Sequence, residues 1–350
     1  MKNLFLIFSL FMLVSYTYAQ KTIAVLSGTT WTFYDDFSPA LRAAASGSII
    51  YVPGGTFDLG SNGDTINKQL TIIGVGFSLD SSGATGITRF LGGLALDNGA
   101  DYTTLEGISM DYVYSSTSSS YYNNILIKRC FVQSVSFNNY SSNYGKNYYI
   151  SESVVCNLQG GSDPYNGITH YNNLKVEKCI IFYSFNYCYG ATFNNNVLHK
   201  YPDGYFYNNA CEFNNNIFVD SVRDYEVATN SIFNNNIFRV NGTGWTGSLS
   251  NVYIGCTWNK LPASIFINPP VAGMGCDPIY NPQYNFHLKA TSPAKNFGTD
   301  GTDAGIYGTS SPCKDGWVPS NPHISAKTIG PSSLPNGTLP VNVKVVAQDR

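Results

Sequence analysis

Phe193-Asn194-Asn195-Asn196-Val197-Leu198 returns as Phe213-Asn214-Asn215-Asn216-Ile217-Phe218 and again as Phe233-Asn234-Asn235-Asn236-Ile237-Phe238. The copies lie twenty residues apart, and a weaker one follows at Tyr253-Ile254-Gly255-Cys256-Thr257-Trp258. Upstream the template loosens but persists, at Ile127-Lys128-Arg129-Cys130-Phe131-Val132, at residues 150–155 and at residues 176–181. Leu105-Glu106-Gly107-Ile108 is a shorter version. One short β-prone run per 20–25 residues is the mark of a solenoid, in which each coil buries its inner face only by stacking on the next. The Leu-x-x-Leu-x-Leu frame of leucine-rich repeats is absent. The Asn triplets and scattered glycines break any helical period. The expected fold is all-β, a right-handed parallel β-helix.

Stacked coils sit about 4.8 Å apart, so residues twenty apart become vertical neighbours and columns can be read directly. The fourth template position runs Cys130, Ser153, Cys179, Asn196, Asn216, Asn236, Cys256. Its Asn members should form a ladder of side-chain amides, and Asn also tolerates the left-handed backbone of a sharp corner. That structural reading outweighs an Asn-lined catalytic site. Cys130 and Cys179 fall two coils apart, beyond the roughly 7 Å Cα limit for a disulfide. Cys130, Cys179 and Cys256 therefore read as small buried residues, with Cys276–Cys313 as the expected bridge.

Ahead of the repeats, Lys2, the apolar run of residues 4–14 and Tyr18-Ala19-Gln20 read as a signal peptide over residues 1–19. The apolar run is shorter than the ~20 residues that span a bilayer, so no membrane span is expected. The exported chain should be secreted or surface-bound, with the periplasm a further option. Charged residues make up only 12% of the sequence and the formal net charge is −2. No basic stripe is available for nucleic acid. Polarity resides in amides and hydroxyls, which suits a neutral hydrogen-bonding partner such as a polysaccharide. Residues 20–310 are assigned to the β-helix. Residues 311–350, rich in proline, are assigned to a C-terminal extension packing on or beside it.

Both ends of a stack need caps. Ser38 reads as an N-cap, Pro39 as the first helical position and Gly47 as the stop of a short helix. The helix leads into IIYVPGGTF (residues 49–57) and LTIIGVG (residues 70–76). With these features and the Asn-ladder copies, the chain resembles the pectate-lyase-like superfamily of right-handed β-helices. NFHLKATSPAKNFGTDGTDAGIYG (residues 285–308) resembles the closing segment of exported β-helix proteins of Bacteroidetes type. The resemblance covers roughly residues 37–310 and implies fold more than function, because this architecture hosts lyases, hydrolases and inactive proteins alike. The Arg-x-Pro-x-x-Arg element of one lyase branch is missing. So are the Asn-Thr-Asp, Gly-His-Gly and Arg-Ile-Lys motifs of the polygalacturonase branch. The Gly298-Thr299-Asp300-Gly301-Thr302-Asp303 run lacks the donors of a calcium loop and reads as a turn. No metal site is expected, and calcium would enter only if the chain were a lyase.

One charge cluster stands out on the regular coils. Lys200 stacks under Asp220 and Asp203 under Arg223, with His199, Asp224, Glu226 and Arg239 nearby. Lys200, Asp220, Arg223 and Asp224 are the candidate catalytic residues, since paired carboxylates serve glycoside hydrolysis when suitably separated. Such pairs are more commonly plain surface ion pairs. Tyr205, Tyr225 and Trp245 form a second column and, if outward, would be a platform for sugar rings. With His199 and Arg239 they are the candidate substrate-binding residues. Tyrosine is dense in the looser coils as well, including Tyr112, Tyr114, Tyr121, Tyr122, Tyr148 and Tyr149. A Ser/Thr-rich loop at residues 115–120 should project beside them. The sequence thus points to an exported polysaccharide-interacting protein that binds a glycan, with cleavage by lyase or hydrolase chemistry left open. The competing reading is a non-catalytic structural or adhesive surface protein.

Overall fold

The computed structural model describes residues 22–137, 145–161, 172–199, 208–219, 228–240, 250–269, 276, 284–320 and 322–348. The chain winds into a parallel β-solenoid of about eight turns, with only 7% helix. Strands alternate between a twelve-stranded and a ten-stranded sheet, each strand pairing with its counterparts one coil before and after. The twenty-residue register is the pairing register: Phe193 faces Phe213, which faces Phe233. Upstream, Ile127, Ile150 and Val176 continue the same column despite uneven coil lengths. Among the described residues no helix is long and apolar enough to cross a membrane.

The N-terminal end of the solenoid differs from expectation in detail. An antiparallel hairpin, Ile23–Ser27 with Thr30–Tyr34, closes the N-terminal edge of the twelve-stranded sheet before the first parallel strand, Ser48–Tyr51. The helix spans Phe37–Ala43, and its N-cap is Asp36, whose Oδ1 accepts from Phe37 N at 2.7 Å. Ser38 lies inside the first turn and donates to Asp64 Oδ2 at 2.6 Å. Packing explains the shift. Phe37 is fully buried and packs on Phe90 with ring centroids 4.4 Å apart, which pulls the helix start two residues forward.

The Asn triplet divides three tasks among three adjacent residues. Asn194, Asn214 and Asn234 point outward and donate amide to amide along the stack, at 3.0 and 2.8 Å. Asn195, Asn215 and Asn235 hold the corner in the left-handed region, with φ of 53°, 59° and 48°. Asn196, Asn216 and Asn236 point inward, fully buried, and form the expected ladder. Each inner amide also donates to a strand carbonyl, as Asn216 Nδ2 does to Phe193 O at 2.8 Å. Beside the ladder the Phe rings stack 4.9 and 4.7 Å apart, a contact that adds about 0.5–1.5 kcal/mol per pair beyond burial.

A second apolar layer covers the outside of the ten-stranded sheet. Val154, Ile180, Val197, Ile217 and Ile237 are buried beneath Phe286, Ala294, Ala304 and Ile306. The closing segment is thus laid along the solenoid, and Asn215 ties it through Thr299 N to Asn215 Oδ1 at 2.9 Å. The Asp300 and Asp303 carboxylates bond neighbouring backbone N–H groups, as expected of a turn. From there the chain runs back toward the first coils. Lys178 Nζ donates to Ser311 O at 2.8 Å, Ser320 bonds Glu106, and His323 Nε2 meets Ser81 O at 2.9 Å.

Two expectations are corrected here. Cys276 is bridged to Cys156, with Cα atoms 5.7 Å apart, and Cys313 is a buried thiol donating to Lys178 O at 3.4 Å. The return of the closing segment over the ten-stranded sheet brings Cys276 onto Cys156, a strand residue 120 positions earlier. Burial pushes the Cys130 and Cys179 thiols up to about 12, in line with their place in the core. Cys256 is only partly buried. In the loop at residues 115–120 Thr117, Ser118 and Ser119 are exposed, while Ser120 is buried and anchors it by donating to Asp97 Oδ1 at 2.9 Å.

Candidate functional site

Lys200, Tyr205, Asp220, Arg223, Asp224, Tyr225 and Trp245 lie outside the described residues. His199 and Arg239 are described. His199 is buried, its ring stacked on Phe182 with centroids 5.0 Å apart. Arg239 lies two coils further on, partly buried, with Nη1 3.5 Å from Val219 O.

The corner that carries Asn195 in the regular coils carries charge in the earlier ones. Arg129, Glu152 and Lys178 occupy it, all with positive φ. Arg129 is 2% exposed and donates to Glu152 Oε2 at 2.7 Å and Glu106 Oε1 at 3.1 Å. Lys178 Nζ lies 3.5 Å from Glu152 Oε1. Burial alone would raise the Glu152 carboxyl, but the hydrogen bond and charge of Arg129 hold it below the usual carboxylate range. The returning chain seals this column, with Ser320 N and Oγ donating to the two Glu106 oxygens at 2.8 and 2.7 Å. Each charge is engaged by a neighbour, so the column locks the chain end to the solenoid.

An open groove of about 610 Å³ lies at the head of the ten-stranded sheet. Its floor exists because of glycine. Strand Thr88–Leu96 slips register between Phe90 and Gly93 against strand Ser109–Ser115. A Cβ on Gly93 would lie 2.8 Å from Tyr112 Cβ and 2.9 Å from Tyr114 Cε1. Gly92, at φ 98°, makes the bulge, and its N–H donates to Asp111 Oδ2 at 2.8 Å. The two tyrosines rise over this floor. Tyr112 is 49% exposed, whereas Tyr114 is anchored by its hydroxyl to Asn62 O at 3.0 Å. One ring is thus held and the other offered to solvent.

The groove runs on as a track along the stack. Tyr112 registers with Ser134, Asn157 and Ser184, and Tyr114 with Ser136, Gln159 and Asn186. These side chains point outward because Val113, Val135, Leu158 and Phe185 between them fill the core. They bond one another along the track, Ser184 Oγ to Asn157 Oδ1 at 2.9 Å and Ser136 Oγ to Gln159 Oε1 at 3.1 Å. Every track residue is uncharged. The surface offers aromatic faces for stacking and amides and hydroxyls for directional hydrogen bonds.

Sequence reasoning placed Tyr112 and Tyr114 among the dense tyrosines but did not single them out, and it missed the Ser/Asn/Gln track. The available signal was the Gly92-Gly93 pair, which becomes meaningful only when the coil register sets it against the two rings. Other tyrosines of that group serve the core: Tyr122 and Tyr148 are buried. No family model matches the chain, and the comparison with curated proteins finds no match either.

Proposed function

We propose that this protein binds a polysaccharide along the ten-stranded sheet, with Tyr112 as the stacking platform and the Ser/Asn/Gln track as the hydrogen-bonding surface. The observation that carries the reading is the half-exposed Tyr112 ring over a glycine floor, heading an uncharged polar track. Export through the signal peptide of residues 1–19 belongs to this reading. The Cys156–Cys276 bridge supports it, since disulfides persist in oxidising compartments. Membership of the pectate-lyase-like superfamily is supported by the entry helix, the inner Asn ladder and the closing segment. Cleavage of the bound chain remains assigned to Lys200, Asp220, Arg223 and Asp224, on sequence alone.

The test is retention of the mature protein on a panel of neutral and acidic polysaccharides in affinity gels, with reducing-end release followed in parallel. Retention on a neutral polymer, weakened at least tenfold by Tyr112→Ala, is the expected result. Undiminished retention in that variant would sink the groove.

An adhesive role is favoured by one separate observation. The hairpin of His323–Ile329 and Val341–Val346 exposes Ile324, Ile329, Val341, Val343 and Val345. Exposed apolar strands of this kind usually meet a partner. Loss of cell-surface attachment on deleting residues 323–346, with glycan retention intact, would assign attachment to the hairpin.

A further inference from the structure

Three segments remote in sequence converge on a polar cavity of about 230 Å³, away from the Tyr112 groove. The helix Leu79–Ser82 contributes Asp80, and the strand Asn285–Leu288 contributes His287. The returning chain contributes Tyr307, Asp315 and Trp317. His287 is fixed from three directions. Its Nε2 lies 2.8 Å from Asp315 Oδ1, its ring stacks on Tyr307 with centroids 4.1 Å apart, and its backbone N–H donates to Asn285 Oδ1 at 2.9 Å. The Tyr307 hydroxyl donates to the same Asp315 oxygen at 3.0 Å.

An exposed His–Asp contact is by itself worth little. Here it comes with a stacked aromatic partner, a second donor on the same oxygen, and a cavity floored by Trp317, which is only 6% exposed. The donors of His287 Nε2 and Tyr307 are consumed internally by Asp315 Oδ1. The anionic groups on the cavity wall are the Asp315 and Asp80 carboxylates, with the polar Ser78, Tyr284 and Asn285 beside them. Such a lining repels carboxylates, sulfates and phosphates and accepts hydroxyl donors, while the aromatic walls suit the C–H face of a ring. Small-ligand sites combine apolar walls with a few placed polar groups in this way.

We infer that this cavity is a separate subsite for one sugar ring without acidic substituents, with Asp315 accepting from ring hydroxyls and His287 and Tyr307 orienting it. The inference rests on the glycan reading of the chain but on none of the residues of the Tyr112 groove. Saturation-transfer NMR on the full mature protein, with D-glucose, D-galactose, N-acetyl-D-glucosamine and D-galacturonate as probes, tests it. At least one neutral sugar should give transfer, and galacturonate should give none. Asp315→Ala should weaken the neutral sugar at least tenfold and Tyr307→Phe about two- to tenfold, the range for one hydrogen bond. Tyr112→Ala should leave it unchanged. Asp315 is highly exposed (72% for its side chain), so its truncation leaves the fold intact. Absence of transfer from every neutral sugar overturns the subsite, as does transfer that survives Asp315→Ala. Either result with polymer retention still dependent on Tyr112 overturns the subsite alone. Asp315-dependent transfer without polymer retention supports the subsite and sinks the groove.

Discussion

Asn216 Oδ1 accepts twice from Asn196, once from its backbone N–H and once from Nδ2, each at 2.9 Å. The same side chain donates to Phe193 O at 2.8 Å. One amide therefore satisfies the coil before it at a fully buried corner where no water can substitute. Asn216→Ala removes this partner from Asn196 N–H and Phe193 O, at about 1–3 kcal/mol for each buried group, or about 2–6 kcal/mol in urea unfolding. Asn214→Ala, on the outer face of the same triplet, should cost under about 1 kcal/mol, since solvent replaces its bonds. Equal losses for the two variants would contradict the inner-ladder assignment.

The Cys156–Cys276 bridge closes a loop of 120 residues. A cross-link over a loop of that size stabilises by up to about 4–5 kcal/mol in the chain-entropy view. Thermal unfolding under reducing conditions should move to lower temperature. Cys156→Ser and Cys276→Ser should each reproduce most of that shift and abolish further sensitivity to reductant. Cys313→Ser should retain reductant sensitivity, and its loss there would return the bridge to Cys313.

Acid should loosen the chain end. The Glu152 carboxyl is held below its ordinary value in the folded protein, so the folded state favours the charged form. Its contribution is complete above the unfolded value of about 4.3 and is lost as pH falls through the lower folded value. Proteolysis near Ser311 and Ser320, which tie the returning chain to this column, should therefore accelerate as pH drops below about 4. Arg129→Met should remove most of that pH dependence. It should also cost about 3–5 kcal/mol, the usual penalty for stranding a buried carboxylate. A variant with wild-type stability and an unchanged acid profile would refute the lock.

The repeat architecture was legible because its period is set by backbone pairing, and residues such as Phe193, Phe213 and Phe233 must recur wherever the inner face recurs. The inner amide ladder followed from the same columns. The three-way division of the Asn triplet did not, since it depends on which side of a corner each residue falls. The charged corner of Arg129, Glu152 and Lys178 was hidden for a related reason: charged residues rarely adopt positive φ, and only the pairing across coils offsets its cost. The Phe37–Phe90 contact that sets the helix start, the Cys156–Cys276 bridge and the His287–Asp315 contact all arise between segments that no period links. Long-range returns of the chain leave no trace in the spacing of residues.

The groove makes the sharpest demand on one position. Gly93 has its backbone against both Tyr112 and Tyr114, and a Cβ there would come within 3 Å of each. Gly63 packs on the Gly93 carbonyl from the other side, so the strand cannot retreat. Relief in Gly93→Ala must come from strand Ser109–Ser115, because Tyr112 Cβ moves only with its own backbone. Tyr114 is tethered through Asn62, so the strand should yield at Tyr112 and carry its half-exposed ring out of place. The expected outcome is polysaccharide retention reduced about as far as in Tyr112→Ala, with a stability loss of about 1–3 kcal/mol from overpacking. Affinity electrophoresis beside thermal unfolding separates the two effects. Full retention in Gly93→Ala would mean that the position of the Tyr112 ring does not matter, and the track alone would then have to carry the glycan.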